Sequence, residues 1–585
     1  MNIIGISAGY HESSCCLLQE GRLVAAASEE RFTRLKHDPG VPLHAFRFCL
    51  ERGGIGLTDI DAVAYYEIPA KKLARQLWAG RVSPGLPWLD ALRAERTIRE
   101  SLGWEGPILS FEHHHSHAAS AFFFSGYEEA AILTVDGVGE WATTTYGRGA
   151  GDSLDIFEEV RFPHSLGLLY SALTSYLGFR VNGGEYKVMG LAPYGEPRHV
   201  DRLRRLVQPG PRGQYTLDLQ YFDFIRGERM YSPALCDLLG APPRVPESPM
   251  EQFHQDVARS LQVLLEEILL EKVRYLAGEV GSPNLCMAGG VALNCVANAR
   301  ILREGPFERL FVQPAAGDAG GSLGAAALAH RQLTGRRPAA EPMRHAYLGP
   351  SYEAEEIARL IEAAGIQALD FRGREGDLLQ ASVDRLAAGR VLGWFQGAME
   401  FGPRALGSRS LLADPRDPQM RERLNRQVKK REAFRPFAPI VREERAAAHL
   451  DLDHPSPFML ETCQVRSPLA LPAITHVDGS ARPQTVDREV APRLAALLDA
   501  FEARTGCPIL LNTSFNVRGE PVVCSPVDAL ICMAVSGIDT LVLEDWIIDR
   551  ESLPGHWPEL VDSVEKVRGG VQPRASISEM VYTFI

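Results

Sequence analysis

An α/β protein of two major domains is predicted, and three observations carry that expectation. Short apolar strands separated by polar turns open the chain, and glycine-punctuated strand-turn-helix units fill its middle. A stretch rich in Arg and Pro near residue 340 then shifts the composition. A length of 585 residues itself calls for more than one domain. Hydrophobic residues at 45% against 23% charged let each domain bury a sizeable core.

Residues 2–7, 14–19 and 22–28 are β-branched or Ala-rich runs separated by a polar turn around His11 and by Glu20-Gly21, so three consecutive strands are expected. A similar cadence returns over 131–146, where Ala131 to Val135 leads into Asp136-Gly137-Val138-Gly139-Glu140 and another strand. A duplicated fold would set the polar turns around His11 and Asp136 facing each other across a cleft. Residues 245–278 repeat apolar side chains at helical spacing through Val257, Leu261, Leu264, Leu265 and Leu269, which predicts a long helix. A strand over 284–288, a tight turn at Gly289-Gly290 and a helix over 291–302 follow, and Gly320-Gly321 precedes an Ala-rich helix over 322–332. The stretch Gly335 to Pro342 is expected to be a surface linker between domains at 1–345 and 346–585, with helices near 352–364 and 374–389 in the second.

The formal net charge of −12 argues against a surface devoted to a nucleic-acid backbone, while leaving room for local basic pockets that hold phosphorylated metabolites. Ten cysteines stand singly except for adjacent Cys15 and Cys16, and none forms a C-x-x-C pair. That pattern suits a reducing compartment. The chain opens directly on a strand rather than on a secretory leader, and no run of about 18 uncharged apolar residues occurs, so a cytoplasmic protein without a membrane span is expected. A homodimer is the base-rate expectation for its assembly.

His113 and His117 lie four apart at the start of an Ala-rich helix, so they share one face and two imidazoles can converge on one cation. The other possibility is a His-rich helix start at the surface. Asp136 and Asp318 each end an apolar strand beside glycines, where a carboxylate is exposed at a strand tip, although either could instead cap a helix. Two His with two Asp suit iron, zinc or manganese, and the spacing does not choose among them. His114 points away from the pair and is a candidate contact for substrate or phosphate. The Gly289-Gly290 and Gly320-Gly321 turns would let phosphate or ribose approach backbone N–H groups at helix starts.

Several longer stretches resemble the NodU-type carbamoyltransferases. They are Gly5 to Ser14, Ala27 to His37, His113 to Ala121, Asp136 to Glu140, Gly184 to Gly195, Ala288 to Asn298 and Gln313 to Gly321. In the second domain the resemblance continues through Glu400 to Ser410, Lys429 to Pro439, Thr475 to Gln484 and Leu511 to Asn516. Glu12 stands where Asp is common, and Tyr186 replaces a small or polar residue. The resemblance implies an actin-like ATPase fold in the first domain, similar to the tRNA-threonylcarbamoyl transferase module, and a YrdC-like α/β second domain. It further implies that carbamoyl phosphate is cleaved in the second domain and that the carbamate joins ATP, with Mg, to give carbamoyl-adenylate. The carbamoyl group then passes to a hydroxyl at a site where His113, His117, Asp136 and Asp318 hold the metal, iron by that resemblance. Acceptors in the family are small natural products, including antibiotics, and oligosaccharide signals.

The chemistry suggests further roles. His11 is a candidate general base for the acceptor hydroxyl, with a turn or phosphate-contact role as the alternative, and Lys187 is a candidate electrostatic partner for phosphate. Asn294 belongs to the nucleotide set. Arg404, Arg409, Lys429, Arg431 and Arg435 concentrate positive charge in two stretches of an acidic chain, and guanidinium groups match phosphate oxygens. His476, Asp478 and Arg482 form a third polar cluster for carbamoyl phosphate or ATP, with Asn512 and Asn516 as further candidates. Competing expectations are a metabolite kinase on the same fold, a non-catalytic nucleotide-binding assembly factor and a tRNA-modifying enzyme. Acceptor specificity is expected in the less patterned regions 60–105, 150–180 and 205–250.

Overall fold

The computed structural model describes residues 1–80, 90–338 and 341–557. Residues 81–89 of the expected acceptor region, 339–340 of the expected linker, and everything after 557 lie outside the described residues. The chain divides into two compact units. Among the described residues, Met1–Glu29 and His37–Met343 form the first, and Glu30–Lys36 with 344–557 form the second.

The first unit repeats one sheet topology twice. Strands β1 (Asn2–Ser7), β2 (Ser14–Gln19) and β3 (Arg22–Ser28) form an antiparallel meander, and β4 (Ala62–Tyr65) and β5 (Ile108–Ser110) extend it in parallel on the β1 side, giving the order β3-β2-β1-β4-β5. Strands β6 (Glu129–Val135), β7 (Ala142–Ala150) and β8 (Ser153–Arg161) form a second meander. A small ribbon of β9 (Val207–Pro209) and β10 (Tyr215–Leu217) intervenes, and β11 (Asn284–Ala288) and β12 (Arg309–Val312) then extend the second sheet in parallel. Its order, β8-β7-β6-β11-β12, matches the first strand for strand. The cadence shared by 2–28 and 131–146 is therefore a structural duplication.

Burial explains the strand sequences. Ile3, Ile4, Ile6, Cys15, Cys16, Leu17 and Leu18 are fully buried, so both faces of the first sheet are covered and the runs are continuous rather than alternating. Helix His113–Phe122 and helix Gly321–Thr334 touch backbone to backbone: a Cβ on Gly324 would lie 1.7 Å from the Ser116 carbonyl oxygen. Only glycine allows that approach. The long helix runs Gln252–Val280, with Leu261, Leu265 and Leu269 buried, and begins later than the predicted 245 because Pro249 lies outside it.

The second unit is built on one eight-stranded mixed sheet. Its strands are β13 (Leu369–Asp370), β14 (Leu392–Phe395), β15 (Arg409–Ala413), β16 (Ala438–Arg442), β19 (Gln484–Val486), β20 (Ile509–Ser514), β21 (Thr540–Leu543) and β22 (Trp546–Asp549), in the order β13-β22-β21-β14-β15-β20-β16-β19. A separate ribbon pairs β17 (Cys463–Gln464) with β18 (Ser480–Ala481) inside the Pro-rich 456–488 segment. Helices Ala354–Ala363, Glu375–Ala387 and Pro492–Thr505 pack around Trp394, Leu411, Leu510 and Leu541. The segment Glu30–Lys36, placed with residues 1–345 from the sequence, belongs instead to this unit. Arg31 donates to the Gly402 carbonyl at 2.9 Å, Arg34 donates to the Val522 and Pro521 carbonyls, and Phe32 packs on Met399, Val522 and Cys524. No described helix is long and apolar enough to cross a membrane.

Candidate active site

The strand ends of the two repeats build one cluster in the first unit. His113 and His117 project from a single helix face, Asp136 stands at the end of β6, and Asp318 follows β12 at the start of a short 3-10 turn. One ligand atom from each of the four lies within 4.8 Å of the others, and all four residues are buried. The two imidazole Nε2 atoms are 3.0 Å apart. His113 Nε2 is 3.1 Å from Asp136 Oδ2, and His117 Nε2 is 3.6 Å from both Asp136 Oδ2 and Asp318 Oδ1.

These contacts fit a cation better than they fit protons. Two Nε2 atoms and two carboxylates point at one small volume, and Asp318 Oδ2 has no hydrogen-bond partner although it is buried. Burial opposes charge on His117, but the Asp136 and Asp318 carboxylates outweigh it and lift His117 to about 9. Burial likewise opposes ionisation of Asp136, and the two imidazoles hold it well below the usual carboxylate range. A mixed N/O set of this kind suits a divalent transition metal.

Surrounding bonds fix the ligands. Glu140 accepts the backbone N–H of His113 at 3.1 Å and that of Ile68 at 2.7 Å, so a distant carboxylate caps the ligand-bearing helix. Glu140 lies within a stretch singled out by sequence, yet nothing local marks it as a cap, because its partner is 27 residues away. Gly290 N–H donates to Asp136 Oδ1 at 2.8 Å, and Gly289 N–H donates to the Ala316 carbonyl at 2.7 Å. Both amides proposed for phosphate thus have acceptors, and the Gly289-Gly290 turn serves here to orient Asp136. At φ +95°, Gly289 also lies so close to β6 that a Cβ would meet the Val135 carbonyl at 2.3 Å.

The other predicted residues of this unit fall at varied places. His11 reaches the rim, with Nε2 3.9 Å from Asp318 Oδ2 and its ring 4.3 Å from that of Tyr10. His114 turns away from the four ligands, as expected; its Nδ1 is 2.6 Å from Thr134 Oγ1. Burial pushes His114 well below its ordinary pKa, and the neighbouring His113 and His117 add to this. Asn294 caps the helix Cys295–Glu304 through Ala297 N–H and exchanges amide hydrogen bonds with Gln262. Gly320 donates to the Gly317 carbonyl, Gly321 lies against Tyr66, and Lys187 lies over the Phe179 ring.

In the second unit two of the predicted cations, Arg409 and Lys429, are buried among oxygens. Arg409, on β15, is fully buried, donates to the carbonyls of Gln396, Gly397, Ser408 and Pro350, and stacks 3.5 Å from the centre of the Phe395 ring. Lys429 Nζ donates to the Ser514 and Asn516 carbonyls at 2.6 and 3.0 Å and to the Asn516 side chain. Burial drives the Lys429 pKa well down, and Arg431 adds to the effect. Arg431 donates to Asn425 and covers Phe437, while the Arg435 carbonyl accepts from Asn425. Asn512 bridges the Ala405 carbonyl and Gln484. Buried His476 is 3.8 Å from Asp478, whose carboxylate accepts from Ser480. Arg404 is half-buried, and buried Nε of Arg482 has no hydrogen-bond partner among the described residues. Sequence reasoning passed over Glu400, whose carboxylate accepts the amides of Leu406, Ser408 and Arg409 and shapes the Arg404–Arg409 loop.

Comparison with known proteins gives the family of the chain. The family model for the carbamoyltransferase N-terminus matches residues 2–82 and 93–327, and that for the carbamoyltransferase C-terminus matches 383–550. An uncharacterised protein of Synechocystis is 46% identical over 94% of this chain and 97% of its own length. Nodulation protein NolNO of Sinorhizobium fredii is 38% identical, covering 97% of this chain and 83% of that one. The 3'-hydroxymethylcephem-O-carbamoyltransferase of Amycolatopsis lactamdurans is 33% identical over 93% of this chain and 98% of its own. With family models matched in both units and full-length relatives at this identity, the chain belongs to the carbamoyltransferase family and is an enzyme of that type.

Proposed function

We propose that the enzyme uses carbamoyl phosphate and ATP to form carbamoyl-adenylate and transfers the carbamoyl group to a hydroxyl of a small natural product. The observation that carries this is the buried convergence of His113, His117, Asp136 and Asp318 within a duplicated sheet fold of a carbamoyltransferase chain. A divalent cation held by these four, iron first and manganese or zinc as alternatives, supplies Lewis-acid stabilisation of negative charge. Glu140 and Gly290 keep the ligands oriented. His11, at the rim, takes the proton of the acceptor hydroxyl at Nε2, and His114, neutral and buried, offers its other nitrogen to substrate. In the YrdC-like second unit, Arg404, Arg435, His476 and Arg482 receive carbamoyl phosphate and ATP with Mg, while Arg409, Lys429, Asn512 and Asn516 hold the pocket's frame. Lys187 and the Gly320-Gly321 turn complete the nucleotide contacts. Ten free cysteines fit a cytoplasmic setting.

The test is product analysis with ATP, carbamoyl phosphate and a panel of alcohols. Pyrophosphate release that depends on carbamoyl phosphate, with a carbamoylated product by mass, is the expected result. ADP release with a phosphorylated acceptor would instead establish a kinase.

A further inference from the structure

Helix Pro69–Trp78 carries a cluster that the transferase chemistry leaves without a task. Its N-cap residue Ile68 donates to Glu140, the carboxylate that also accepts from His113, so the helix starts beside the metal ligands. Seven residues on, two turns along the same face, stands Arg75. It is only 2% exposed. Among the described residues its Nε and Nη1 have no hydrogen-bond partner, and no carboxylate lies within ion-pair distance.

The neighbouring carboxylates are committed elsewhere. Glu67 holds Lys72 through both oxygens at 3.0 Å and accepts from the Tyr65 hydroxyl, and Glu140 holds the two backbone amides. What Arg75 does touch is aromatic: its guanidinium lies 5.5 Å from the centre of the Phe162 ring. Trp78, on the same helix, packs at 5.9 Å from Trp141 and 6.0 Å from Phe162, and it is 51% exposed. An aromatic wall therefore runs inward from the surface and ends on a buried cation that makes no direct ion pair among the described residues, with Glu67 and Glu140 acting on its charge only from a distance.

A buried guanidinium with unused donors is unfavourable unless an oxyanion completes it. We propose that Arg75 and the wall of Trp78, Trp141 and Phe162 form the acceptor subsite, in which the guanidinium receives a carboxylate or phosphate of a ring-bearing acceptor. The word acceptor rests on the transferase assignment above; the anion site does not. The wall supplies apolar contact and Arg75 supplies selection, since a site with unpaired buried donors rejects ligands that cannot fill them.

Calorimetric titration of the metal-loaded full chain tests this with benzoate against benzyl alcohol and AMP against adenosine. Benzoate should bind at least about tenfold tighter than benzyl alcohol, and Arg75→Met should abolish that preference while leaving the melting temperature equal or higher. Trp78→Ala, at a half-exposed position, should weaken benzoate and benzyl alcohol alike. If Arg75→Met does not fold, Arg75→Lys, which keeps the charge without the planar fork, should narrow the preference. An unchanged preference in the Arg75 variants overturns the proposal. Loss of AMP binding with benzoate unaffected also overturns it, by giving Arg75 to the nucleotide phosphate. Failure of the wild type to release pyrophosphate with carbamoyl phosphate would sink the transferase assignment while leaving these titrations intact.

Discussion

The four ligands of the first unit and Arg409 and Lys429 of the second are alike buried and oppositely arranged. His113, His117, Asp136 and Asp318 point their polar atoms at one another across 3.0 to 3.6 Å and have too few protons among them to satisfy every contact. Lys429 and both terminal nitrogens of Arg409 point at oxygens that accept from them, and of these side chains' nitrogens only Arg409 Nε is left without a partner among the described residues. Like polar atoms converging on one another mark a place that awaits a ligand, whereas a cation bonded to several carbonyl oxygens marks a group that holds the frame. The difference predicts opposite responses to mutation: loss of function without loss of stability in one case, loss of stability in the other.

The sharpest break of that contrast would come from Asp318→Asn. Bound metal and carbamoyl transfer should both fall by at least about 100-fold, while the metal-free variant should unfold no earlier than the metal-free wild type. Metal analysis and denaturant titration of the same samples check this. If the variant is strongly destabilised, the ligands are framework and the contrast fails. Next, Arg409→Ala should cost about 3–5 kcal/mol of stability, because the buried carbonyls around it lose their donor and Phe395 loses the guanidinium stacked on it, and the urea midpoint reads it. Lys429→Met should cost less, about 1–3 kcal/mol by the same measurement, because a backbone carbonyl pair and one amide lose a donor.

The smallest effect belongs to a cation in neither class. His454, partly exposed, is raised to about 9, first by its hydrogen bond to Glu461. Its folded pKa lies above its unfolded value, so its stabilisation is full below about pH 6.5 and is lost as pH rises through about 9. Solvent screening limits the amount to about 1 kcal/mol or less. His454→Ala should therefore lower the denaturation midpoint at about pH 6 and leave it unchanged at about pH 10. An equal effect at both pH values would show that packing, and not charge, is what His454 contributes.

Much of the first unit was legible because its signals are local. Two histidines four apart must share a helix face, and a strand of buried β-branched residues must end somewhere with its next carboxylate at the tip. The echo between 2–28 and 131–146 likewise reflects strand length and turn chemistry, both encoded over a few residues. The second unit was less legible for the opposite reason. Arg404 and Arg409 look alike in sequence, yet Arg409 is held by the carbonyl of Pro350, 59 residues away, and by Phe395 beneath it. No local pattern announces such partners.

By itself, the sequence determined the strands, the long helix, the facing His113 and His117 and the family to which the chain belongs, since these depend on spacing and on stretches of contiguous residues. The sequence also put Asp136 and Asp318 with that pair, and the tertiary structure brought their ligand atoms within 4.8 Å of the imidazoles; only the tertiary structure decided that Glu140 caps the helix, that the Gly289-Gly290 amides are engaged, and that Arg75 is buried with no direct ion pair among the described residues. Each of those depends on which polar groups meet after burial. Hydrogen-bond satisfaction is settled among residues far apart in the chain and close together in space.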